Sequence, residues 1–137
     1  MDKYLLETSL GLVDDEEGLT TRFYEVLFDR HPAVRPMFGA DVRPQAAMLR
    51  GAIIAVLDHL DDAEWLTGTL GALGAKHAEY GATPAMFDAV AECMIAAMEE
   101  RGGTAWTAEM TSAWTEALGA VAGLMLAGYP EVGSVAG

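Results

Sequence analysis

Three histidines, His31, His59 and His77, are the side chains of this chain best suited to bind a metal or carry a proton near neutral pH. His31 stands beside Arg30 and before Pro32 in a helix-breaking corner, and reads as a solvated surface group. His59 falls near a helix end among Asp58, Asp61 and Asp62, where a hydrated or salt-bridged imidazole is expected. A His59/Asp61/Asp62 metal site would draw all its ligands from one short stretch, with no partner from elsewhere in the chain. His77 differs. At about 100° per residue, Leu66, Leu70, Leu73 and His77 fall within about 40° of one another, so an apolar stripe ends in an imidazole. Such a group suits one axial bond to a cofactor iron, its second ring nitrogen donating to a nearby carbonyl. It equally suits a core histidine hydrogen-bonded to backbone, and spacing does not separate the two.

A second set of residues would make sense across a flat apolar cofactor. Tyr24 and Phe28 are four apart, so a phenol and a ring project from one helix face. Gln45, Leu49, Ala52 and Val56 share a face, which puts one carboxamide on an apolar stripe. A phenol and a carboxamide are the donors that stabilise polar dioxygen in a dry pocket. Tyr24 as core and Gln45 as a solvated first-turn residue is the competing reading. Met48 lies beside Gln45 but about 60° off its face. Cys93, within Ala91-Glu92-Cys93-Met94-Ile95, reads as an inert buried thiol; as the single cysteine it forbids an internal disulfide.

The elements that must position these groups are all helical. Apolar residues recur at helical spacing between Gly, Pro and Asp punctuation, and no long stretch alternates apolar with polar. A first helix is predicted over Asp2 to Val13, with Tyr4, Leu5, Leu6, Leu10 and Val13 on its apolar side. Asp14-x-x-Glu17 has the form of a capping box opening a second helix that carries Leu19, Phe23, Tyr24, Leu27 and Phe28. Pro32 and Pro36 bend the chain up to Phe38, and Pro44 suits the first turn of a helix through Leu57 and Leu60. Asp61-x-x-Glu64 has the form of another capping box before Trp65, Leu66, Leu70 and Leu73, with the helix ending at His77 and closed by Gly81. Thr83-Pro84 opens a helix that buries Phe87, Val90, Met94, Ile95 and Met98 and stops at Gly102-Gly103. The last runs from about Thr107 through Trp114, Leu118, Val121 and Met125 to Gly128, with a frayed tail expected from about 130.

With 137 residues, 52% of them hydrophobic, one domain with a proper core is the expectation, all-α and spanning 1–137. The 21 acidic against 8 basic residues give a net charge of −13, which repels phosphate backbones and anionic lipid, so neither nucleic acid nor a membrane surface is expected as partner. The acidic N-terminal stretch is unlike a signal peptide, and the uncharged run from Ala117 to Pro130 is shorter than the roughly 20 residues of a membrane span, so a cytoplasmic location is expected.

Phe23-Tyr24, Leu27-Phe28, His31-Pro32 and Arg35-Pro36-Met37-Phe38 together resemble the start of bacterial single-domain globins and of the globin half of flavohaemoglobins. The stretch from Leu73 to Gly81, LGAKHAEYG, resembles the surroundings of that family's proximal histidine, and Ala113 to Gly119, AWTEALG, its last helix. The motifs run in the family's order from about residue 5 to 128. The resemblance implies a three-over-three helical sandwich around a non-covalent b-type haem. His77 would be the proximal iron ligand, Phe38 the aromatic packed on the haem, Tyr24 and Gln45 the distal donors and Leu49 the apolar residue over the ligand. Phe28 and Phe87 would complete the cofactor contacts.

The match departs from the family on the proximal side. Flavohaemoglobin-type globins place a tyrosine and a glutamate behind the histidine; here those positions fall on Phe87 and Tyr129, and the family's tyrosine after Ala117 is Leu118. A carboxylate partner makes the imidazole more basic and favours O–O chemistry. Its loss points to reversible binding of dioxygen, nitric oxide or carbon monoxide at a pentacoordinate-type iron, for oxygen binding, transport or scavenging, with no residue assigned a catalytic role. The alternatives are a nitric oxide dioxygenase served by a separate reductase and a haem-based gas sensor. The 137 residues leave room for neither a reductase nor an output domain within them. Gly68-x-x-Gly71-x-x-Gly74 is read as allowing close approach of backbone or haem, since no strand precedes it as a nucleotide loop would need.

Overall fold

The computed structural model describes residues 1–15 and 18–130. Six α-helices follow one another among them: α1 (Lys3–Val13), α2 (Gly18–Arg30), α3 (Arg43–Asp58), α4 (Ala63–Glu79), α5 (Pro84–Gly102) and α6 (Ala108–Ala127). Short 3₁₀ turns at Pro32–Met37 and Gly103–Ala105 join α2 to α3 and α5 to α6. The prolines sit where their missing N–H is harmless, Pro32, Pro44 and Pro84 each in a first turn. Asp2 caps α1 by accepting from the Leu5 amide at 3.0 Å, and Thr107 caps α6 by accepting from the Met110 amide at 3.2 Å.

Three local expectations change. Asp62, not Asp61, is the N-cap of α4, its carboxylate accepting from the Trp65 amide at 3.0 Å. The helix continues two residues past His77 to Glu79 before the chain reverses at Gly81, whose φ of +88° suits glycine. Tyr4 is 78% exposed rather than on the buried face of α1, and Ser9 takes a place in that face instead. The Ser9 hydroxyl accepts from Trp114 Nε1 (2.8 Å) and donates to the Leu6 carbonyl, so the one buried indole N–H on α6 is satisfied from α1. Of the Asp14-x-x-Glu17 box, Glu17 lies outside the described residues. Asp14 ends α1 and holds Arg50 of α3 through two bonds of 2.9 Å. The tail from 131 also lies outside them.

The helices form two layers, α1, α3 and α4 against α2, α5 and α6. α4 packs on α6, α2 on α5 and on α3, and α1 on α5 and α6. Where α2 and α5 meet, Phe23, Leu19, Met94, Met98 and Cys93 are buried to within 2% of completely. Each such apolar side chain stabilises the fold by about 1.5–3 kcal/mol. Burial, with Glu92 alongside, also raises the Cys93 thiol above its ordinary pKa, so it stays protonated.

Two glycine contacts set the distance between α4 and α6. A Cβ on Gly74 would land on the Met125 carbonyl, and one on Gly128 would land on the Gly71 carbonyl. Of Gly68, Gly71 and Gly74, the expected close backbone approach therefore needs glycine at Gly74; Gly68 and Gly71 have nothing within 4 Å of their own Cβ positions, and at the second contact it is Gly128 that must lack a side chain. α3 and α4, consecutive in the chain, turn their apolar faces toward a shared cavity.

Candidate cofactor pocket

The cavity encloses about 360 Å³ and is walled by five helices. α3 contributes Gln45, Leu49, Ala52 and Val56, the face predicted from their spacing, together with Met48 and Ile53. α4 contributes Leu66, Leu70, Leu73 and His77, the stripe that ends in imidazole. α2 supplies Tyr24; α5 supplies Met86, Phe87, Val90 and Met94; α6 supplies Trp114, Leu118, Val121 and Met125. Of these α5 and α6 residues the sequence points to Phe87 alone as a cofactor contact, through the family resemblance, and to the others as core. The signal that would have found them is the four-residue step Met86, Val90, Met94, which continues the wall from Phe87.

His77 is half-buried, and its Nδ1 lies 2.8 Å from the Leu73 carbonyl oxygen one turn back. A carbonyl only accepts, so Nδ1 carries a proton, and in the neutral ring it is Nε2 that keeps the lone pair. That tautomer leaves Nε2 as the nitrogen that could hold a metal ion. Tyr80 and Phe87 flank the ring at centroid distances of 6.0 and 6.5 Å. Among the described residues no carboxylate hydrogen-bonds to it. The Tyr129 hydroxyl donates instead to the Ala82 carbonyl (2.7 Å), and its ring meets Phe87 edge-on at 6.0 Å. Ala82 in turn donates its amide to the His77 carbonyl at 3.0 Å. The side behind the imidazole is thus aromatic and backbone-bonded.

Across the cavity Tyr24 is 6% exposed, and its hydroxyl makes no hydrogen bond to any described residue. Burial pushes its pKa up to about 12, so the phenol remains a donor well above neutral pH. Gln45 lies in the exposed first turn of α3, at the cavity's rim, with Met48, 68% exposed, one turn further on. Leu49 is half-buried on the same wall. Phe28 and Phe38 are not in the wall. They stand behind Tyr24 as a cluster of rings, Tyr24–Phe38 at 5.4 Å, Phe28–Phe38 at 5.3 Å and Tyr24–Phe28 at 5.8 Å.

The other two histidines lie elsewhere. His59 stacks flat on Trp65, 3.7 Å and 9° apart, and donates from Nδ1 to the Ala55 carbonyl. Asp62 is engaged as a helix cap, and among the described residues no three His, Cys, Asp or Glu side chains converge on a metal site. His31 lies 3.9 Å from Glu92, which also pairs with Arg30.

Six helices in two layers around an apolar crevice with one histidine on its wall define a globin. Residues 21–125 match the globin family, and the chain belongs to it. It is 30% identical over 114 residues to a flavohemoprotein of Pseudomonas putida, covering 80% of this chain and 29% of that one. It is also 30% identical over 99 residues to a protein of Aquifex aeolicus described as globin-like, covering 72% of this chain and 70% of that one. The chain spans less than a third of the length of the curated flavohemoproteins it matches. Among solved structures it superposes on a Pseudomonas aeruginosa protein described as structurally highly homologous to a human hemoglobin. The TM-score is 0.82 at 23% identity, covering 94% of this chain and 98% of that one. A bacterial globin from Campylobacter jejuni gives 0.75 at 18% identity, over 92% of each chain. The fold is therefore the all-α globin fold, and membership of the family implies a haem cofactor. The residues on the cavity wall fit that group: an apolar slot, and an imidazole Nε2 and a buried phenol that have no hydrogen-bond partner among the described residues.

Proposed function

We propose that this chain is a b-type haem globin, one domain over 1–137, that binds dioxygen and other diatomic gases reversibly. The observation that supports it most is the His77 imidazole, its Nδ1 proton committed to the Leu73 carbonyl and its Nε2 bare, on the wall of an apolar cavity shared with Tyr24 and Gln45. Haem bound in that cavity would supply an iron for a diatomic gas; His77 would hold it through Nε2, and Leu49, Val90 and Met94 would exclude water. Tyr24 and Gln45 donate hydrogen bonds to a polar ligand. Phe28, Phe38 and Phe87 complete the cofactor's surroundings, the first two through Tyr24 and Phe87 beside the imidazole.

The proximal side favours binding over turnover. A histidine bonded only to a backbone carbonyl is less basic than one bonded to a carboxylate, and gives less electron density for O–O cleavage. Nitric oxide dioxygenation with a separate reductase is the second reading, which the resemblance to the globin half of flavohaemoglobins suggests.

The distal donors are tested by gas kinetics. Tyr24→Phe removes one buried hydrogen bond to the ligand, worth about 1–3 kcal/mol, so dioxygen release speeds up about five- to 150-fold. Gln45→Leu at the exposed rim gives a smaller increase. Because the folded Tyr24 pKa lies above that of an exposed tyrosine, the wild-type release rate stays flat from pH 6 to about 10. The same shift makes the fold lose stability as pH climbs from about 10 toward 12, since the unfolded phenol ionises first. Stopped-flow release into excess carbon monoxide measures the rates; an unchanged rate in Tyr24→Phe overturns the assignment of Tyr24.

A further inference from the structure

Five arginines, Arg22, Arg30, Arg43, Arg50 and Arg101, each pair with a carboxylate, as an acidic surface invites. Arg35 does not: among the described residues its guanidinium binds backbone alone. Nη1 donates to the carbonyls of Phe38 (3.3 Å) and Gly39 (2.9 Å), and Nη2 to that of Ala40 (3.1 Å). Its Cζ sits 4.7 Å from the centre of the Phe28 ring. The Phe38 amide donates back to the Arg35 carbonyl at 3.1 Å. One planar cation therefore ties three successive carbonyls of a loop outside any helix and lies over a ring of the cluster that backs Tyr24. Those carbonyls belong to the segment where the 3₁₀ turn gives way to extended chain, and no helix or strand would otherwise satisfy them.

We infer that Arg35 is a positioning residue for the distal wall. By fixing the loop 38–40 it sets Phe38 against both Tyr24 and Phe28, and so aims the Tyr24 hydroxyl into the cavity. The geometry needs arginine. The two arms of the fork reach different carbonyls while the flat face covers Phe28, and the point charge of a lysine cannot do both. The inference rests on the gas-binding reading for its effect on ligand release, but not for its effect on the loop.

The test uses two readouts on the purified protein. The first needs no cofactor: chymotryptic cleavage after Phe38, followed by mass spectrometry and referred to cleavage after the exposed Tyr4. Arg35→Ala raises that ratio about tenfold or more, the change that loss of one to two net hydrogen bonds brings. Arg35→Lys restores little of it. An unchanged ratio in both variants overturns the hold on the loop. The second readout is dioxygen release in the loaded protein, with and without Tyr24→Phe. Arg35→Ala speeds release several-fold when Tyr24 is present and leaves it unchanged in the Tyr24→Phe background. An equal acceleration in both backgrounds overturns the link to Tyr24. If no variant carries haem, the gas-binding reading fails, while the cleavage ratio still decides whether Arg35 holds the loop.

Discussion

His77→Gly leaves a folded chain that no longer retains haem. The substitution deletes the side chain whose Nε2 is the free imidazole nitrogen of the cavity, and with it the 2.8 Å bond that orients the ring. Loss of an outer-shell partner alone typically costs a metal site about 10- to 100-fold in affinity, so loss of the ligand itself costs more. Cofactor retention on a desalting column falls by at least about 100-fold. Millimolar imidazole restores much of the absorbance, because the cavity left by the side chain admits the free base. His31→Ala and His59→Ala change neither retention nor spectrum, since one ring lies beside Glu92 and the other against Trp65, both outside the cavity. Retention in His77→Gly equal to wild type would remove His77 from the site.

The second large effect acts through the backbone. Gly74→Val places two methyl groups and a Cβ where the Met125 carbonyl now sits, and that carbonyl belongs to a helix end, not to a flexible side chain. α4 and α6 must separate, and overpacking of this kind costs about 3 kcal/mol or more where neighbours cannot give. For a chain of this size that lowers the melting temperature by roughly 10 °C. His77 lies one turn beyond Gly74, so cofactor affinity falls too. Gly68→Ala is the control: nothing lies within 4 Å of its Cβ position, and alanine gains up to about 1 kcal/mol in helix propensity. Thermal unfolding by circular dichroism separates the two, and a Gly74→Val protein that melts with the wild type would show that α4 and α6 do not meet there.

What was legible in the sequence was whatever repeats within one helix. The stripes Leu66-Leu70-Leu73-His77 and Gln45-Leu49-Ala52-Val56 emerge in the structure as cavity walls, because a 3.6-residue period survives whatever the helix packs against. What was not legible depends on how helices cross. Tyr4 shares a helical face with apolar residues but overshoots the contact with α5 and α6. Asp61-x-x-Glu64 points to Asp61 as the cap of α4, but the helix starts one residue later and Asp62 accepts from the Trp65 amide, a shift of one residue that a capping pattern does not resolve. The resemblance puts Phe28 and Phe38 at the cofactor; that they also meet Tyr24 and each other, edge-on or tilted, is a relation set by the 3₁₀ turn between α2 and α3. The partners of Arg35 and Gly128 are backbone carbonyls, which no residue type announces.

The most direct measurement is an absorption spectrum of the purified protein, oxidised, then reduced, then under carbon monoxide. A sharp Soret band that shifts on reduction and again on carbon monoxide, and that is lost in His77→Gly, is the expected result. A protein that stays colourless when produced with excess haem would leave the globin fold standing and contradict the gas-binding function.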